Sequence, residues 1–581
     1  MGTVITSLAA TVKNALLAHF SIVVDDSDIR FSQAPEGKGD LALSCGVLAK
    51  KLKKAPAEIA MSLQAPLYAH PGVAAAYVDG PYLNLQLYAG ALFEAVCMPL
   101  EARLIRTENP ERIMVEYLSP NTNKPLHLGH VRNGVLGSAV ANMLISAGHT
   151  VIRADLINDR GIHICKSMLG YKLFANGSTP SSAHMKGDHF VGDWYVRFEQ
   201  AKKEDPSLMQ QAEELLQLWE AEDPETRRLW SLMNGWVYEG FNATQKRYGF
   251  DFNRVYRESE IYLLGKSIVS EGLARGVFVK GSDGAVLFPL PVTFGKNKAG
   301  QDRVAKVLNP DGTSIYLTQD IGTAVRKVED YALDRSLYVV ASEQDNHFRV
   351  LFEILNALGF SWARSCHHLS YEMVELPNGK MKSREGVVVD ADDLLDSMAS
   401  LARLAIRERQ QDLPDEEVAL RAETIALSAI KFYLLSYRSQ SRIIFNPEQS
   451  LSFEGDTGPY CLYAYARIKS ILAKAETQGV SAITPSREQG WVLGTQTERA
   501  LALELLTFPQ SLARATENHM PSSVAESVLS IAKAFNRFYR ADIMLGDDQI
   551  LSQQRLALAV ATAETLNQGL SLLGIRTLEH M

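Results

Sequence analysis

Several features are scarce or missing in this sequence of 581 residues, and each narrows the class of protein. No run of 18 consecutive apolar residues occurs, so we expect no membrane span. The five cysteines lie far apart, without the paired spacing of zinc ligands, which favours a reducing cytoplasm over a disulfide framework. A Gly-rich Walker loop is also missing, which excludes a P-loop nucleotide enzyme.

Positive charge is not in excess either. The formal net charge of −8 argues against blanket attraction to nucleic-acid phosphates, although an acidic total can conceal a basic patch. The stretch KKLKK at 50–54 is one candidate for such a patch. A solvated helix face is the favoured interpretation of this stretch, and a contact with an RNA backbone is the alternative.

The middle of the chain predicts a doubly wound α/β fold. IMVEYL at 113–118 reads as a strand, and VIRADLI at 151–157 reads as the next one. Between them, apolar residues recur every four positions from Leu128 to Ala147 and predict a helix that Gly148 ends. A second strand-to-helix pattern begins with SLYVVAS at 336–342. Such units form a parallel sheet, whose ligands bind where strands end and helices begin.

The flanking regions differ from this middle part. Residues 1–108 predict a small α/β domain, and residues 421–581 predict an all-α bundle, because apolar residues repeat there at helical spacing. The α/β part then spans 109–420, with a polar stretch at about 174–230 that we interpret as an insertion.

The stretch NKPLHLGH lies between a predicted strand and a predicted helix. Unpaired N–H groups and the positive end of the helix dipole attract anions at such a position. His127 and His130 can donate hydrogen bonds to phosphate oxygens, Gly129 lets a ligand approach the backbone, and Lys124 adds a cation. These residues predict a nucleoside triphosphate site, whereas a lone histidine would more often cap a helix or fill a core.

A second basic stretch strengthens this interpretation. LPNGKMKSREG at 376–386 places several phosphate donors after a Pro-Asn-Gly turn and between two glycines, namely Lys380, Lys382, Ser383 and Arg384. A solvated charged turn is the commoner role of such a stretch taken alone. Together with the histidine stretch it predicts a second contact with phosphates.

HLGH followed by KMKSREG resembles the two signatures of class I aminoacyl-tRNA synthetases. The first signature with its surroundings, and the further stretches YLTQDIGTA, SEQDNHF and EGDTGPYCLYAYARI, resemble the arginyl-tRNA synthetase family over nearly the whole chain. The resemblance implies a catalytic domain of the Rossmann type. It also implies ligation of L-arginine to tRNA(Arg) through an arginyl adenylate, with ATP consumed to AMP and pyrophosphate.

The resemblance also implies residue roles at the ATP site. His127, Gly129 and His130, with Lys380, Met381, Lys382 and Ser383, are expected to bind ATP, and the histidines and lysines to assist catalysis. The usual second lysine of the loop is replaced by Ser383, so Lys124, Lys382 and Arg384 remain alternatives for the pyrophosphate contact. Magnesium is expected to arrive with ATP, and we expect no structural metal held by the protein.

For arginine, the resemblance points to a planar slot of acceptors for the guanidinium. Its expected residues are Glu116, Asn121, Tyr316, Asp320 and Gln344. Whether Glu116 meets the amino group or the guanidinium stays open. Taken alone, Tyr316 lies in a strand-like run and would be core, Asp320 would cap a helix starting near Ile321, and a buried Glu116 would need a partner.

The terminal domains are expected to contact tRNA. Tyr460 and Tyr463 are candidates for stacking on anticodon bases, although we expect at least one tyrosine of GPYCLYAYARIKS to be buried. The N-terminal domain is expected at the tRNA elbow. Asp188, His189 and Asp193 suggest a metal site, but a structural turn or a contact with the tRNA acceptor is favoured. We expect a cytoplasmic monomer without a membrane partner.

Three other classes of protein fit the sequence less well. A cysteinyl-type synthetase commonly uses zinc, which the scattered cysteines oppose. A nucleotidyltransferase that uses a His-x-Gly-His motif is far shorter and lacks the lysine loop. An inactive RNA-binding relative is opposed by the intact His127, Gly129 and His130.

Overall fold

The structure is a computed structural model that describes residues 4–25, 28–35, 37–296, 300, 302–375, 389–483 and 490–581. Its strands are β1 Phe31–Gln33, β2 Leu41–Ser44, β3 Val73–Asp79, β4 Tyr82–Leu87, β5 Arg112–Glu116, β6 Thr150–Ile157, β7 Arg254–Arg257, β8 Val279–Lys280, β9 Val286–Pro289, β10 Val304–Leu308, β11 Arg335–Ala341, β12 Cys366–Tyr371, β13 Val374–Glu375 and β14 Ile443–Ile444.

The α-helices connect these strands and dominate the end of the chain. They are α1 Val4–Phe20, α2 Gly46–Leu52, α3 Pro56–Tyr68, α4 Ala89–Cys97, α5 Leu128–Ser146, α6 Ile162–Phe174, α7 Gly187–Glu204, α8 Leu208–Glu220, α9 Pro224–Tyr248, α10 Glu258–Ala274, α11 Tyr316–Tyr331, α12 Asp345–Ala357, α13 Ala391–Arg409, α14 Asp415–Leu435, α15 Pro447–Ser450, α16 Gly458–Thr477, α17 Gln496–Glu517, α18 Pro521–Ala541 and α19 Gln549–Leu572. Among the helices of the described ranges, none combines the length and the hydrophobicity that crossing a membrane requires.

The contacts divide the chain into two compact units. We call Thr107–Ser450 the sheet unit, and Met1–Arg106 with Leu451–Met581 the split unit. The predicted boundary at 420/421 falls inside α14, and the chain up to Ser450 clusters with the sheet unit. The predicted insertion at 174–230 contains α7, α8 and the start of α9, which lie between β6 and β7.

The sheet unit contains a five-stranded parallel sheet in the order β12-β11-β5-β6-β7. From β5 the chain runs outward through β6 to β7, and it later returns to the other side of β5 through β11 and β12. The strand order therefore reverses at β5, and such a switch point opens a crevice at the carboxyl ends of the strands. The prediction of an α/β fold with a parallel sheet is confirmed.

The helix after β5 is formed as its spacing predicts. α5 spans Leu128–Ser146, and Gly148 follows it with a φ of 97°, in the left-handed region that suits glycine. A Cβ atom on Gly137 would lie 2.3 Å from Cβ of Tyr117, so this glycine lets the helix pack closely on the residue after β5. Close packing of α5 fixes where the helix begins, next to the end of β5.

The split unit joins the two ends of the chain. Its antiparallel sheet has the order β1-β2-β4-β3, and α16–α19 form the helical part. Arg499 on α17 donates from Nε to the buried Asp40 carboxylate at 2.7 Å and also reaches the Leu87 carbonyl oxygen at 2.7 Å. A buried, hydrogen-bonded ion pair therefore connects the N-terminal sheet to the C-terminal helices.

The lysine-rich stretch at 50–54 behaves mainly as a helix face. Leu52 is buried against the N-terminal core, while Lys51 pairs with Asp28 at 2.6 Å and Lys54 pairs with Glu58 at 3.0 Å. Two of its lysines thus already have acidic partners within the domain. This agrees with the favoured interpretation rather than with an RNA contact.

Glu116, the last residue of β5, is 4% exposed and forms an ion pair with Lys327 of α11, which is also buried. The ammonium of Lys327 additionally lies 4.3 Å from the centre of the Tyr338 ring on β11. The partner that a buried acid requires is therefore supplied by the protein itself.

We expect Lys327→Met to lower the free energy of unfolding by about 3–5 kcal/mol, because it leaves the buried Glu116 carboxylate without a counter-charge. Urea denaturation followed by circular dichroism measures this change. The double variant Glu116→Leu/Lys327→Met is the control and should lose less, since it buries no unpaired charge. A single variant as stable as the double variant would contradict the pairing.

Candidate active site

The loop that leads out of β5 has an unusual backbone. Leu118 and Ser119 adopt φ values of 75° and 47°, a region that residues other than glycine seldom occupy. Hydrogen bonds hold both: the Leu118 N–H donates to Asn133 Oδ1 at 2.5 Å, and the Ser119 N–H donates to Asp155 Oδ1 at 3.0 Å. Strain held in place in this way, about 1–3 kcal/mol per residue, is typical of functional sites.

The two predicted histidines lie at the start of α5, with His127 as its N-cap residue. Their ring centres are 3.8 Å apart, and the His127 backbone N–H donates to Nδ1 of His130 at 3.1 Å. Nε2 of His127 lies 3.2 Å from the Lys124 ammonium. A lysine can only donate, so this nitrogen accepts and the His127 proton sits on Nδ1.

The same contacts define the charge of these groups. Burial and the nearby Lys124 charge lower the pKa of His127 to about 3. Burial, His127 and Lys124 hold the pKa of His130 well below its usual range, and burial also lowers the pKa of Lys124. Both imidazoles are therefore neutral at pH 7, and each presents one N–H: Nδ1–H on His127 and Nε2–H on His130. Nδ1 of His127 is buried and has no hydrogen-bond partner within the described structure.

Gly129 has a different immediate neighbour from the one that the sequence suggests. A Cβ atom there would lie 3.0 Å from Cε1 of His127 and 3.7 Å from the Met373 methyl group. The glycine thus makes room for the His127 ring, which folds back over the first turn of α5. Its predicted contact with ATP stays a prediction.

The chain on both sides of the lysine loop lies against the start of α5. After the loop, the Leu128 N–H donates to the Val389 carbonyl oxygen at 2.9 Å, and the Ala391 N–H donates to that of Leu126 at 3.0 Å. Before the loop, Met373 borders Gly129. Lys380, Met381, Lys382, Ser383 and Arg384 themselves lie outside the described residues. The described residues that flank this loop in the chain thus lie beside the first signature.

A cavity of about 420 Å³ opens beside this place. Four predicted residues line it: Asn121, Lys124, His127 and Tyr316. Side chains from α6 and α7 also line it, among them His163, His189 and Tyr195. His189 is a candidate from the sequence, whereas His163 and Tyr195 belong to no predicted site, and α6 and α7 bring all three to the cavity.

Other predicted residues lie outside the lining of this cavity. Glu116 is buried with Lys327, as described above, and Gln344 is exposed in a short 3-10 turn after β11. Asp320 on α11 has 23% of its side chain exposed, and its Oδ2 lies 2.6 Å from Nε2 of His347 on α12. The sequence signal for His347 was present in SEQDNHF, but its pairing with Asp320 depends on how α11 and α12 pack.

Two local expectations about this region are wrong. Tyr316 is the first residue of α11 and is 57% exposed, so it belongs neither to a strand nor to a core. Asp320 lies one turn into the same helix and does not cap it. Both differences arise because α11 begins at Tyr316, which makes Asp320 its fifth residue. As positions i and i+4, the two side chains share one face of this helix.

Other carboxyl groups lie near Asp320. Glu258 at the start of α10 is 5% exposed. Burial, followed by the neighbouring charges of Asp320 and Asp159, raises the pKa of Glu258 well above its usual range. Sequence reasoning missed Glu258, because RESEIY carries no motif. The concentration of carboxyl groups suits a cationic substrate.

Two candidate metal residues of the inserted region, His189 and Asp188, have different ion-pair partners. His189 lies 3.2 Å from Asp390 and 3.7 Å from Asp392, and these two carboxylates raise its pKa to about 10. Lys186 already binds Asp392 at 2.6 Å. Within the described residues, His189, Asp390 and Asp392 are close enough together to hold a metal ion. Their charges are instead balanced in an ion-pair network that includes Lys186. Asp188 pairs with Lys186 at 3.0 Å instead.

In the split unit, the tyrosines of α16 differ in exposure. Tyr465 is buried, as expected for at least one of them, Tyr460 is partly buried and Tyr463 is 37% exposed. The Arg467 guanidinium lies 4.5 Å from the centre of the Tyr463 ring and 5.0 Å from that of Tyr539 on α18. A half-buried arginine thus lies between two partly exposed aromatic rings.

A doubly wound sheet with paired histidines at its switch point is typical of a class I aminoacyl-tRNA synthetase. Comparison with protein families agrees. Residues 97–446 match the model of the class I (R) tRNA synthetase catalytic domain, 461–581 match the DALR anticodon binding domain, and 4–87 match the arginyl tRNA synthetase N terminal domain. The chain belongs to the arginyl-tRNA synthetase family.

Individual relatives agree with this assignment. The chain is 40% identical to an arginine–tRNA ligase of Bacteroides thetaiotaomicron, with 99% of each chain covered, and 42% identical to one of Treponema denticola, with 96% covered. Among solved structures, it is similar to the arginyl-tRNA synthetase of Thermus thermophilus, with 26% identity, a TM-score of 0.79 and full coverage of both chains. The predicted activity, ATP-dependent attachment of arginine to tRNA, is confirmed.

We expect His130→Ala to slow adenylate formation at least about a hundredfold, because it removes a preorganised N–H donor at the helix start. Single-turnover kinetics with arginine, ATP and tRNA measure this rate. His367→Ala, which changes an exposed histidine on β12, serves as the control. An unchanged rate in His130→Ala would refute the catalytic role.

Proposed function

We propose that the start of α5 binds the phosphates of ATP and stabilises the transition state of arginine activation. The arginine carboxylate attacks the α-phosphorus, the bond to the bridging oxygen breaks, and pyrophosphate leaves. The attacking group is already an anion, so this step needs positioning and charge stabilisation rather than a base. The N–H groups of His127 and His130 and the positive end of α5 supply donors for the developing charge.

Lysine cations complete the ATP site in this proposal. Lys124 lies beside His127 and the cavity. Lys380 and Lys382 approach from the loop, whose ends lie next to α5, and Met381 and Ser383 bind ATP with them. ATP enters as its magnesium complex. In the second step a hydroxyl group of the terminal tRNA ribose attacks the carbonyl carbon of the adenylate, and AMP leaves.

We further propose that arginine binds between α11 and the carboxyl ends of β5 and β11. Asp320 receives the guanidinium, and Tyr316, at the first position of the same helix, borders the slot. Asn121 and Gln344 hold polar ends of the substrate. Glu116 is already paired with Lys327, so its contribution is a negative charge behind the slot rather than a direct contact. The acidic surroundings of Asp320 support this assignment.

We expect Asp320→Asn to weaken arginine binding by about 2–5 kcal/mol, since the guanidinium loses its counter-charge. Isothermal titration calorimetry measures the affinity. Asp330→Asn provides a matched control on the same helix, because this carboxylate pairs with Arg326 at 3.1 Å and should alter arginine binding by less than about twofold. Equal affinity in Asp320→Asn and the parent protein would remove Asp320 from the site.

We propose that tRNA(Arg) is bound by the N-terminal and the C-terminal parts of the chain. Residues 1–108 contact the tRNA elbow, and the helical domain from 421 to 581 binds the anticodon. Tyr460, Tyr463, Arg467 and Tyr539 form the anticodon surface. Aromatic faces and a guanidinium stack on unpaired bases, and the Tyr463–Arg467–Tyr539 arrangement supports this role.

We expect Tyr463→Leu to weaken tRNA(Arg) binding by about 1–3 kcal/mol, because a stacking face is lost. Filter binding at fixed salt concentration measures the affinity. Tyr463→Phe keeps the ring and should bind tRNA like the parent protein. If both variants bind tRNA equally well, the surface is not the anticodon site.

The setting of the enzyme is also a proposal. We infer a monomer and a reducing cytoplasm, the latter because it suits unpaired cysteines. The five cysteines are free thiols, four of them buried. Analytical ultracentrifugation of the protein, alone and with tRNA, tests the monomeric state.

A further inference from the structure

The carboxylate proposed to receive the substrate guanidinium already has a histidine partner. Nε2 of His347 lies 2.6 Å from Oδ2 of Asp320, a distance typical of a charge-assisted hydrogen bond. About a quarter of each side chain is exposed, so a ligand can reach the pair. His347 occupies the third position of α12 and Asp320 the fifth position of α11, which places the pair where the two helices meet.

The surroundings of the pair favour a protonated imidazole. Burial alone would lower the pKa of His347, but the hydrogen bond and the charge of Asp320 raise it above its ordinary value of 6.5. From β12, His368 is the other titratable group that faces His347, and its Nδ1 lies 3.3 Å from the Asp345 carboxylate. On the opposite side of Asp320 stand the carboxyl group of Glu258 and the phenol of Tyr316.

A guanidinium and an imidazolium compete for the same carboxylate. Arginine binds a carboxylate best through two parallel hydrogen bonds, which require both oxygens. Oδ2 of Asp320 is the oxygen that His347 holds. Each oxygen offers two acceptor sites, but a guanidinium and an imidazolium on the same oxygen repel each other. We therefore expect bound arginine to displace the imidazolium, which then loses its proton to solvent.

We propose that His347 is a positioning residue of the arginine site that holds Asp320 while the site is empty and gives up this carboxylate, together with a proton, when arginine binds. The charge balance is complete: imidazolium, carboxylate and guanidinium become neutral imidazole, a carboxylate–guanidinium pair and one released proton. This inference rests on the proposed function, in which Asp320 is the guanidinium partner.

Proton release sets the sign of the pH dependence. Below the raised pKa of the empty site, arginine must expel a proton, so its affinity increases with pH by up to about tenfold per unit. Above that pKa the imidazole is already neutral and the affinity becomes independent of pH. A histidine that only supported the fold would not produce this linkage.

The test is titration calorimetry of the full-length protein with L-arginine from pH 5.5 to 8.5, in buffers of different ionisation enthalpy. The parent protein should release close to one proton at the acid end and little at the alkaline end. His347→Gln keeps an amide donor for Asp320 but cannot titrate, and it should lose both the proton release and the pH slope. His367→Gln, at an exposed position on β12, should keep both.

Each outcome is decisive. Absence of proton release in the parent protein overturns the inference, whatever the variants do. Release that persists in His347→Gln assigns the proton to another group, Glu258 being the nearest candidate, and also overturns it. Thermal unfolding of each variant identifies any loss of folding. Asp320→Asn distinguishes failure of the proposed arginine site from failure of this inference. Unchanged arginine affinity in Asp320→Asn refutes the proposed arginine site. Weakened affinity in Asp320→Asn, together with an unchanged pH slope in His347→Gln, refutes only the role of His347.

Discussion

The short antiparallel pairing between residues 126–128 and 389–391 is the constraint on which the candidate site depends. Two backbone hydrogen bonds, 2.9 and 3.0 Å long, fix the exit of the lysine loop to the residues that open α5. These contacts involve peptide groups only, so they do not depend on side-chain identity. Backbone pairing therefore defines the position at which His127 and His130 stand.

Electrostatics divides this unit into a cationic and an anionic part. Around the start of α5, burial and Lys124 keep the histidines neutral, so that they act as dipolar donors. Several carboxyl groups lie near Asp320, and each is stabilised differently in this buried region. Glu116 pairs with Lys327, Asp320 contacts His347, and burial raises the pKa of Glu258. A triphosphate binds in a positive electrostatic potential and a guanidinium in a negative one. The switch point at β5 allows the two regions to lie next to each other.

The sequence predicted the elements with strong periodicity and the residues within motifs. β5, α5 and β6 form where apolar spacing indicates, because local burial patterns are encoded locally. It failed at Tyr316, where a short apolar run resembled a strand but begins a helix. It also missed Lys327, Glu258 and His347, whose importance comes from partners far away in the chain. Pairing across such distances is a property of packing, and a single sequence displays no periodicity that reveals it.

The ion pair between Arg499 and Asp40 has a consequence for biosynthesis. The N-terminal sheet leaves the ribosome early, yet the guanidinium that neutralises its buried aspartate is part of α17. At about 5–20 residues per second, the interval before that helix emerges amounts to tens of seconds. Throughout this time the buried acid of the nascent sheet lacks its counter-charge, although the Leu87 backbone N–H donates to it within the sheet at 2.6 Å.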